Sequence, residues 1–353
     1  MQRSASRRSG ITLVETLVLL LVGSVATGAL VPSFGTHPRT LSQQAEATNQ
    51  LRQFMQGWKG YAARNDGMFP GLNSSGLALI NREVNDEDPV GWVNADGSRP
   101  MQHLDWFSPS TDNLPAERIR RWRVFFDDFA DPAMGRSAIL WRGSGNADED
   151  GLRDAFDGKT VTATSWLAPH AFSYYGDRFP RMSAMDFSGS EERFVNGRLI
   201  YTKIGMGSVV AWYSDNQATI APGYAPRFAS LANASNKVAL TTGTRYFTRD
   251  GVIDWDSTLT PSSSGAFNSA PPVSDTDNAF GRGHPESQGR QLKLAYRHSG
   301  NLLTARFDGS VVSVSREQSF DPTLWYPTGS VFNAGQGTAV ESLAFYKPGQ
   351  TIN

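Results

Sequence analysis

Glu15 is the one acid in an otherwise uncharged apolar run from Ile11 to Val31. A carboxylate at hydrocarbon depth costs about 3 kcal/mol even on forgiving insertion scales, so its chemistry there is charge neutralisation by a cationic partner. A second group offers hard oxygen ligands. Asn146, Asp148, Asp150 and Asp157 fall at the first, third, fifth and twelfth places of a calcium-type loop, with Gly151 at the sixth. Asn at the first place, Asp at the twelfth and the lack of strong flanking helix signals depart from that pattern, which leaves an acidic solvated loop as the competing reading. Asp275, Asp277 and Glu286 form a weaker acidic cluster. Calcium is the one cofactor these residues suggest, and no other is expected. A third group is His298 and, after nine residues, Asp308-Gly309. With a two-residue turn at Gly300-Asn301, His298 would face position 303 and Asp308 position 293, roughly 17 Å apart along the strands. They could not hydrogen-bond within that hairpin, so a structural histidine at one turn and an Asp-Gly turn at the other are expected, with a ligand role for His298 as the alternative.

No further constellation carries chemistry. His37, His103, His170 and His284 are scattered without metal-ligand spacing, and no Gly-x-Ser-x-Gly, phosphate loop, dinucleotide fingerprint or His-Glu-x-x-His occurs. The chain contains no cysteine, which removes disulfides, zinc thiolates and cysteine catalysis. Its 33 basic and 34 acidic residues nearly cancel, so there is no electrostatic footprint for nucleic acid.

The apolar run is long enough to cross a bilayer core of roughly 30 Å at about 1.5 Å per residue. Arg3, Arg7 and Arg8 precede it without an acid among them, which orients the leader to the cytoplasm and the bulk of the chain outside. Gly23, Ser24, Thr27 and Gly28 recur at four-residue steps and allow helices to approach closely. Pro32 follows at once and removes a backbone donor, which favours a kink.

Gly10-Ile11-Thr12-Leu13-Val14-Glu15, after a basic leader and before a hydrophobic run, resembles the type III signal of the type IV pilin and pseudopilin superfamily. The resemblance implies that a prepilin peptidase cuts after Gly10 and methylates the new amine of Ile11. It also implies that Glu15 pairs with the terminal amine of a neighbouring subunit during assembly. Phenylalanine usually follows the cut, so Ile11 departs from the commonest form. Two further stretches resemble large planctomycete-type prepilin-like proteins. One runs from Asn49-Gln50-Leu51-Arg52-Gln53 through Tyr61 to the stop Asn65-Asp66-Gly67-Met68-Phe69-Pro70. The other is Arg297-His298-Ser299-Gly300, a strand, then Asp308-Gly309-Ser310-Val311.

The elements that would position these residues are legible in part. An amphipathic helix is predicted from Ser42 to about Arg64, with Leu41, Ala45, Thr48, Leu51, Met55, Trp58 and Ala62 on its packing face. Gln43, Glu46, Gln50, Gln53 and Lys59 would lie between them. Residues 71–165 read as irregular but ordered, given Trp92, Trp106, Phe107, Trp122, Phe125, Phe126 and Phe129. Strand-like runs follow at Phe172–Tyr175, Leu199–Ile204, Val209–Tyr213 and Lys237–Leu240, then an exposed loop over Ser257–Asn278. The C-terminal region reads as a three-stranded meander: Leu292–His298, Leu303–Phe307, and Val312 with Val314, the last two strands joined at Asp308-Gly309. With 34 glycines and 19 prolines the exterior is expected to be loop-rich and largely β.

The expected architecture is α+β: a long N-terminal helix, transmembrane in its first half and amphipathic in its second, packed on an antiparallel sheet with large loop-rich insertions. Residues 1–10 would be a leader, 11–31 the membrane helix, 32–66 its amphipathic continuation and 67–353 the exterior domain. The function expected is that of a non-enzymatic filament subunit of the bacterial inner membrane, extracytoplasmic beyond residue 31. Its partners would be the prepilin peptidase, like subunits or other pilins, and the inner-membrane assembly platform. Four alternatives accompany it: a secretory signal cut after Thr27-Gly28-Ala29, a plain uncleaved anchor, a membrane-tethered module binding glycan or another ligand through exposed Trp92, Trp106 or Trp255, and a secreted hydrolase using a carboxylate pair.

Overall fold

In the computed structural model the described residues are 38–70, 106–107, 110–111, 124–141, 160–162, 165–173, 176, 191–195, 198–202, 217–244, 253–255, 268–275, 280 and 295–353. The chain divides into two units, Met1–Leu41 and Ser42–Asn353. Of the first only 38–41 are described, and they are helical.

Helix α1 runs Pro38–Arg64. Proline suits its first position, where no intrahelical partner awaits an N–H. The buried stripe is Ala47, Gln50, Leu51, Phe54, Met55, Trp58, Tyr61 and Ala62, a three-and-four spacing that keeps one side inward. The stripe is rotated from the expected one: Leu41 is exposed, Ala45 faces out, and Phe54 is a central contact. The bulky aromatics decide the inward side, because Phe54 and Trp58 offer more apolar area than the alanines. The helix ends as its sequence suggests. Asp66 and Gly67 both take positive φ (52° and 75°), and the Gly67 N–H donates to Ala62 O at 2.8 Å. Asn65 Nδ2 donates to Tyr61 O at 2.8 Å, covering another helix carbonyl.

The strands are β1 Arg136–Trp141, β2 Thr160–Thr162, β3 Trp166–Pro169, β4 Glu191–Val195, β5 Arg198–Thr202, β6 Ala218–Thr219, β7 Val238–Thr242, β8 Ile253–Trp255, β9 Asn268–Ser269, β10 Leu302–Arg306, β11 Val311–Val314, β12 Val331–Phe332 and β13 Gln350–Thr351. The main sheet has five strands in the order β11-β10-β7-β3-β9. All its pairings are antiparallel except β3 with β9. Smaller sheets are β2-β1-β8, β13-β12-β6 and the β4-β5 hairpin, and β1 with β8 is parallel. The architecture is mixed helix and sheet with mainly antiparallel pairing, an α+β arrangement. β3, β7 and β10 are buried along their whole length, as central strands must be when one face meets a helix and the other further chain.

Several sequence expectations change. The Leu303–Phe307 strand and its Asp-Gly hairpin to Val311–Val314 are present, but the third neighbour is β7 rather than a strand over 292–298. Ala295–Arg297 are not extended in a sheet, and His298 makes only a single bridge to Asn301. The reason is the turn: Ser299 and Gly300 both have positive φ (55° and 80°), so the tight turn is centred one residue earlier than Gly300-Asn301. Phe172 and Ser173 lie in a 3-10 turn, His170–Ser173; the strand precedes it and stops at Pro169. The stretch Ser257–Asn278 contains β9 and a buried Val273, so it is not wholly an exposed loop. Val209–Tyr213 lies outside the described residues.

The core of this unit forms where α1 meets the main sheet. Phe54 contacts Trp106, Phe107, Phe129 and Trp166, with ring centroids 5.0 to 6.3 Å apart. Trp58 reaches Phe69 and Phe307 at 5.9 and 6.0 Å. Gly57 is required at its place on α1, because a Cβ there would overlap the Ser110 carbonyl.

Candidate functional site

The turn Phe129–Met134 starts from a local signal. Asp-Pro favours a turn, and the Asp131 carboxylate accepts from the Ala133 N–H at 2.9 Å through Oδ1. The Asp131 carbonyl accepts from the Met134 N–H at 2.8 Å. Long-range contacts then fasten this turn on two sides. Trp166 Nε1 on β3 donates to Phe129 O at 2.6 Å, and Gln43 Nε2 on α1 donates to Pro132 O at 2.8 Å. Gln50 is therefore buried rather than solvated, and its Nε2 reaches Asp128 O at 3.5 Å.

Asp131 itself is the centre of a buried charge cluster. Its Oδ2 accepts from Arg297 Nε and lies 2.9 Å from His298 Nε2. The three side chains are 0%, 3% and 1% exposed, so no substrate reaches them without opening the fold. Arg297 also donates to backbone: Nη2 to Ser165 O at 2.6 Å and Nη1 to Gly243 O at 3.4 Å. Ser165 and Gly243 are themselves bonded at the ends of β3 and β7, so the guanidinium ties two strand ends to the Asp131 turn. Burial alone would push the Asp131 carboxyl up. The Arg297 charge, the His298 hydrogen bond and charge, and the Ala133 N–H together outweigh burial and hold it at about 2. An ionised carboxylate can only accept, so His298 Nε2 carries the proton it shares with Asp131.

The other end of the histidine motif lies on α1. Asp308 and Gly309 form the β10–β11 turn, with Asp308 Oδ1 accepting from Ser310 N at 2.8 Å and from Ser310 Oγ at 2.7 Å. Gly309 has φ 96°, and a Cβ there would stand 2.9 Å from Lys59 Nζ. Lys59 donates from α1 to the Asp308 carbonyl at 2.9 Å. His298 and Asp308 thus act at separate places, one on the Asp131 turn and one on the end of α1, and each holds a different piece of chain to β10.

A second buried cation has a different surrounding. Lys237 is fully buried, and its Nζ donates to Thr323 O at 2.9 Å and Asn353 O at 2.7 Å. Desolvation lowers its pKa to about 8, against the opposing pull of Asp321. The Thr323 carbonyl, the main-chain oxygen of Asn353 and the nearby Asp321 carboxylate make this a packing anchor for the segments around Thr323 and Asn353.

No family model matches this chain, and neither a curated protein nor a solved structure matches it.

Gly10, Ile11 and Glu15 lie outside the described residues, as do Asn146, Asp148, Asp150 and Asp157. Among the described residues no group of three or more His, Asp or Glu could hold a metal ion, and no helix is long and apolar enough to cross a membrane. Trp106 is a correction: it is completely buried against Phe54 and Trp58 and offers no ligand a stacking face. Trp92 lies outside the described residues, and of the Trp255 side chain nothing is described. Asp131 and Lys237 were not foreseen in these roles. Asp131 carried only an Asp-Pro turn signal, and Lys237 stood at the start of an expected strand.

Proposed function

We propose that the chain is a structural subunit of a type IV pilus-like or type II secretion pseudopilus-like filament. The observation that carries this reading is the run Gly10-Ile11-Thr12-Leu13-Val14-Glu15 between a basic leader and an apolar segment ending at Val31. A prepilin peptidase cuts after Gly10 and methylates the Ile11 amine. Residues 11–31 then hold the subunit in the bacterial inner membrane with the rest extracytoplasmic. Glu15 neutralises the amine of a neighbouring subunit as the assembly platform extracts it. An unpaired charge in hydrocarbon is expensive, and that penalty selects the axial register in which each carboxylate meets an amine.

The described exterior part supports the reading by how it holds its helix. The buried Asp131–Arg297–His298 cluster ties chain segments together, and α1 presents its aromatic stripe to the main sheet. A helix fixed to a folded body by a buried stripe from Ala47 to Ala62 suits a part that bears load. The role is mechanical and needs no cofactor.

Mass spectrometry of the N-terminal peptide from native membranes tests it. An N-methylated Ile11 is the expected result. A start near Leu30 would make this a secreted protein, and an intact Met1 leader a simple anchor; either removes the role given to Glu15. Glu15→Ala should leave processing intact and abolish incorporation into filaments.

A further inference from the structure

Among the described residues β11 is an edge strand of the main sheet, paired with β10 alone. The Arg306 N–H donates to Ser310 O at 2.8 Å, which fixes the alternation: positions 310, 312 and 314 point their backbone groups at β10, and 311 and 313 point theirs away. Beyond them Ser315 is already occupied, its N–H donating to Gln318 Oε1 and its carbonyl accepting from Ser319 N. The N–H and C=O of Val311 and Ser313 therefore have no partner among the described residues.

Sheet edges of this kind are usually blunted by a charge, a proline, a bulge or a covering segment. The stretch Ser310-Val311-Val312-Ser313-Val314-Ser315 has no charge and no proline. Val312 is 36% exposed, and Ser310 and Ser313 are exposed. Among the described residues nothing pairs with this edge, which is short and β-branched.

We propose that this edge pairs with the same edge of a second copy of the chain, antiparallel about a two-fold axis at Val312. The free groups lie symmetrically on either side of Val312, so the strand is its own complement. Val311 of one copy meets Ser313 of the other in a hydrogen-bonded pair, and the reverse pair forms across the axis. The two Val312 side chains face each other as a non-hydrogen-bonded pair, where cross-strand β-branched contacts are favourable. The same axis brings the turn end of one copy, with exposed Asp308, toward the end of the other that carries exposed Arg316 and its neighbour Glu317. This pairing stands independently of the filament reading, since it uses only the edge of the exterior sheet.

One short ladder is weak, so covalent capture is the appropriate readout. The chain has no cysteine, and Val312→Cys would therefore supply a single thiol. Across the axis the two Cα atoms would be about 4.5 Å apart, within the range a disulfide spans. The full-length protein in membranes, mildly oxidised, should give a disulfide-linked dimer with Val312→Cys and not with Val340→Cys, which sits at a 73% exposed position elsewhere. Adding Ser313→Pro removes an N–H that the fold does not use and should abolish the link. Ser313→Lys, at an exposed side chain, should reduce the link at low salt and restore it at high salt. Equal linking at Val312→Cys and Val340→Cys overturns the proposal. So does a link that survives both Ser313 changes in protein whose melting temperature is unaltered.

Discussion

Phe69 and Phe307 lie with ring centroids 4.7 Å apart. Phe69 belongs to the stop that ends α1, and Phe307 is the residue before the Asp308-Gly309 turn. The two signatures are far apart in sequence, and both end in the same aromatic cluster. Phe228 joins them at 4.9 and 6.2 Å, and Phe172 lies 4.9 Å from Phe307. A helix stop and a strand turn are therefore packed as one unit, with Lys59 bonded to Asp308 O beside them.

Phe307→Ala should remove the shared ring of that cluster and cost about 3–5 kcal/mol, the range for truncating a buried aromatic. Urea unfolding of the purified chain measures it. A loss of under about 1 kcal/mol would mean that the cluster collapses around the gap.

Arg297→Met should cost about 3–5 kcal/mol, because the Asp131 carboxylate stays buried without its main counter-charge. The double change Asp131→Leu with Arg297→Met should cost less than the sum of the two single changes, since no lone charge then remains. A double-mutant cycle by denaturant unfolding checks this, and additive losses would show that the pair is not coupled.

Asp131 has a folded pKa of about 2 against an ordinary 3.8. A depressed carboxyl stabilises fully above its unfolded value, and that stabilisation fades as pH falls from 3.8 toward 2. The shift corresponds to about 2 kcal/mol at neutral pH. Stability measured across this window should drop for the native chain, and Asp131→Asn should lack this part of the acid limb.

Lys237 has the opposite sign. Its folded pKa is about 8 against 10.5, so the charged form is disfavoured in the fold. The penalty is complete below pH 8 and is relieved as pH rises from 8 to 10.5, where the unfolded chain binds more protons. Unfolding free energy should climb across that interval. Lys237→Met should flatten the climb, and an equal slope in both proteins would assign it to other groups.

Local signals carried part of this architecture. The helix, its glycine stop and the Asp-Gly hairpin were readable because each depends on residues within a few positions: Gly67 and Gly309 stand where φ is positive, and Leu303, Ala305 and Phe307 alternate. The inward side of α1 is legible in part: Leu51, Met55, Trp58 and Ala62 are covered as expected, whereas Leu41 and Ala45 are exposed and Phe54 is covered, because the sheet, not the helix, determines which residues are covered. β7 as the neighbour of β10 could not be seen, since strand order is set by packing between distant segments. Asp131 escaped for the same reason. Its turn is local, but its charge partners Arg297 and His298 are 166 and 167 residues away, and nothing in the composition near Asp131 points to them.

α1 is held to the rest of its unit near both ends of its buried stripe, by Gln43 on the Pro132 carbonyl and by Lys59 on the Asp308 carbonyl. These anchor points are about 24 Å apart along the axis at about 1.5 Å per residue. The aromatic contacts of Phe54 and Trp58 lie between them. Tension applied along α1 therefore acts on all these contacts in shear and in parallel, whereas a sideways pull at one end would unzip them in turn.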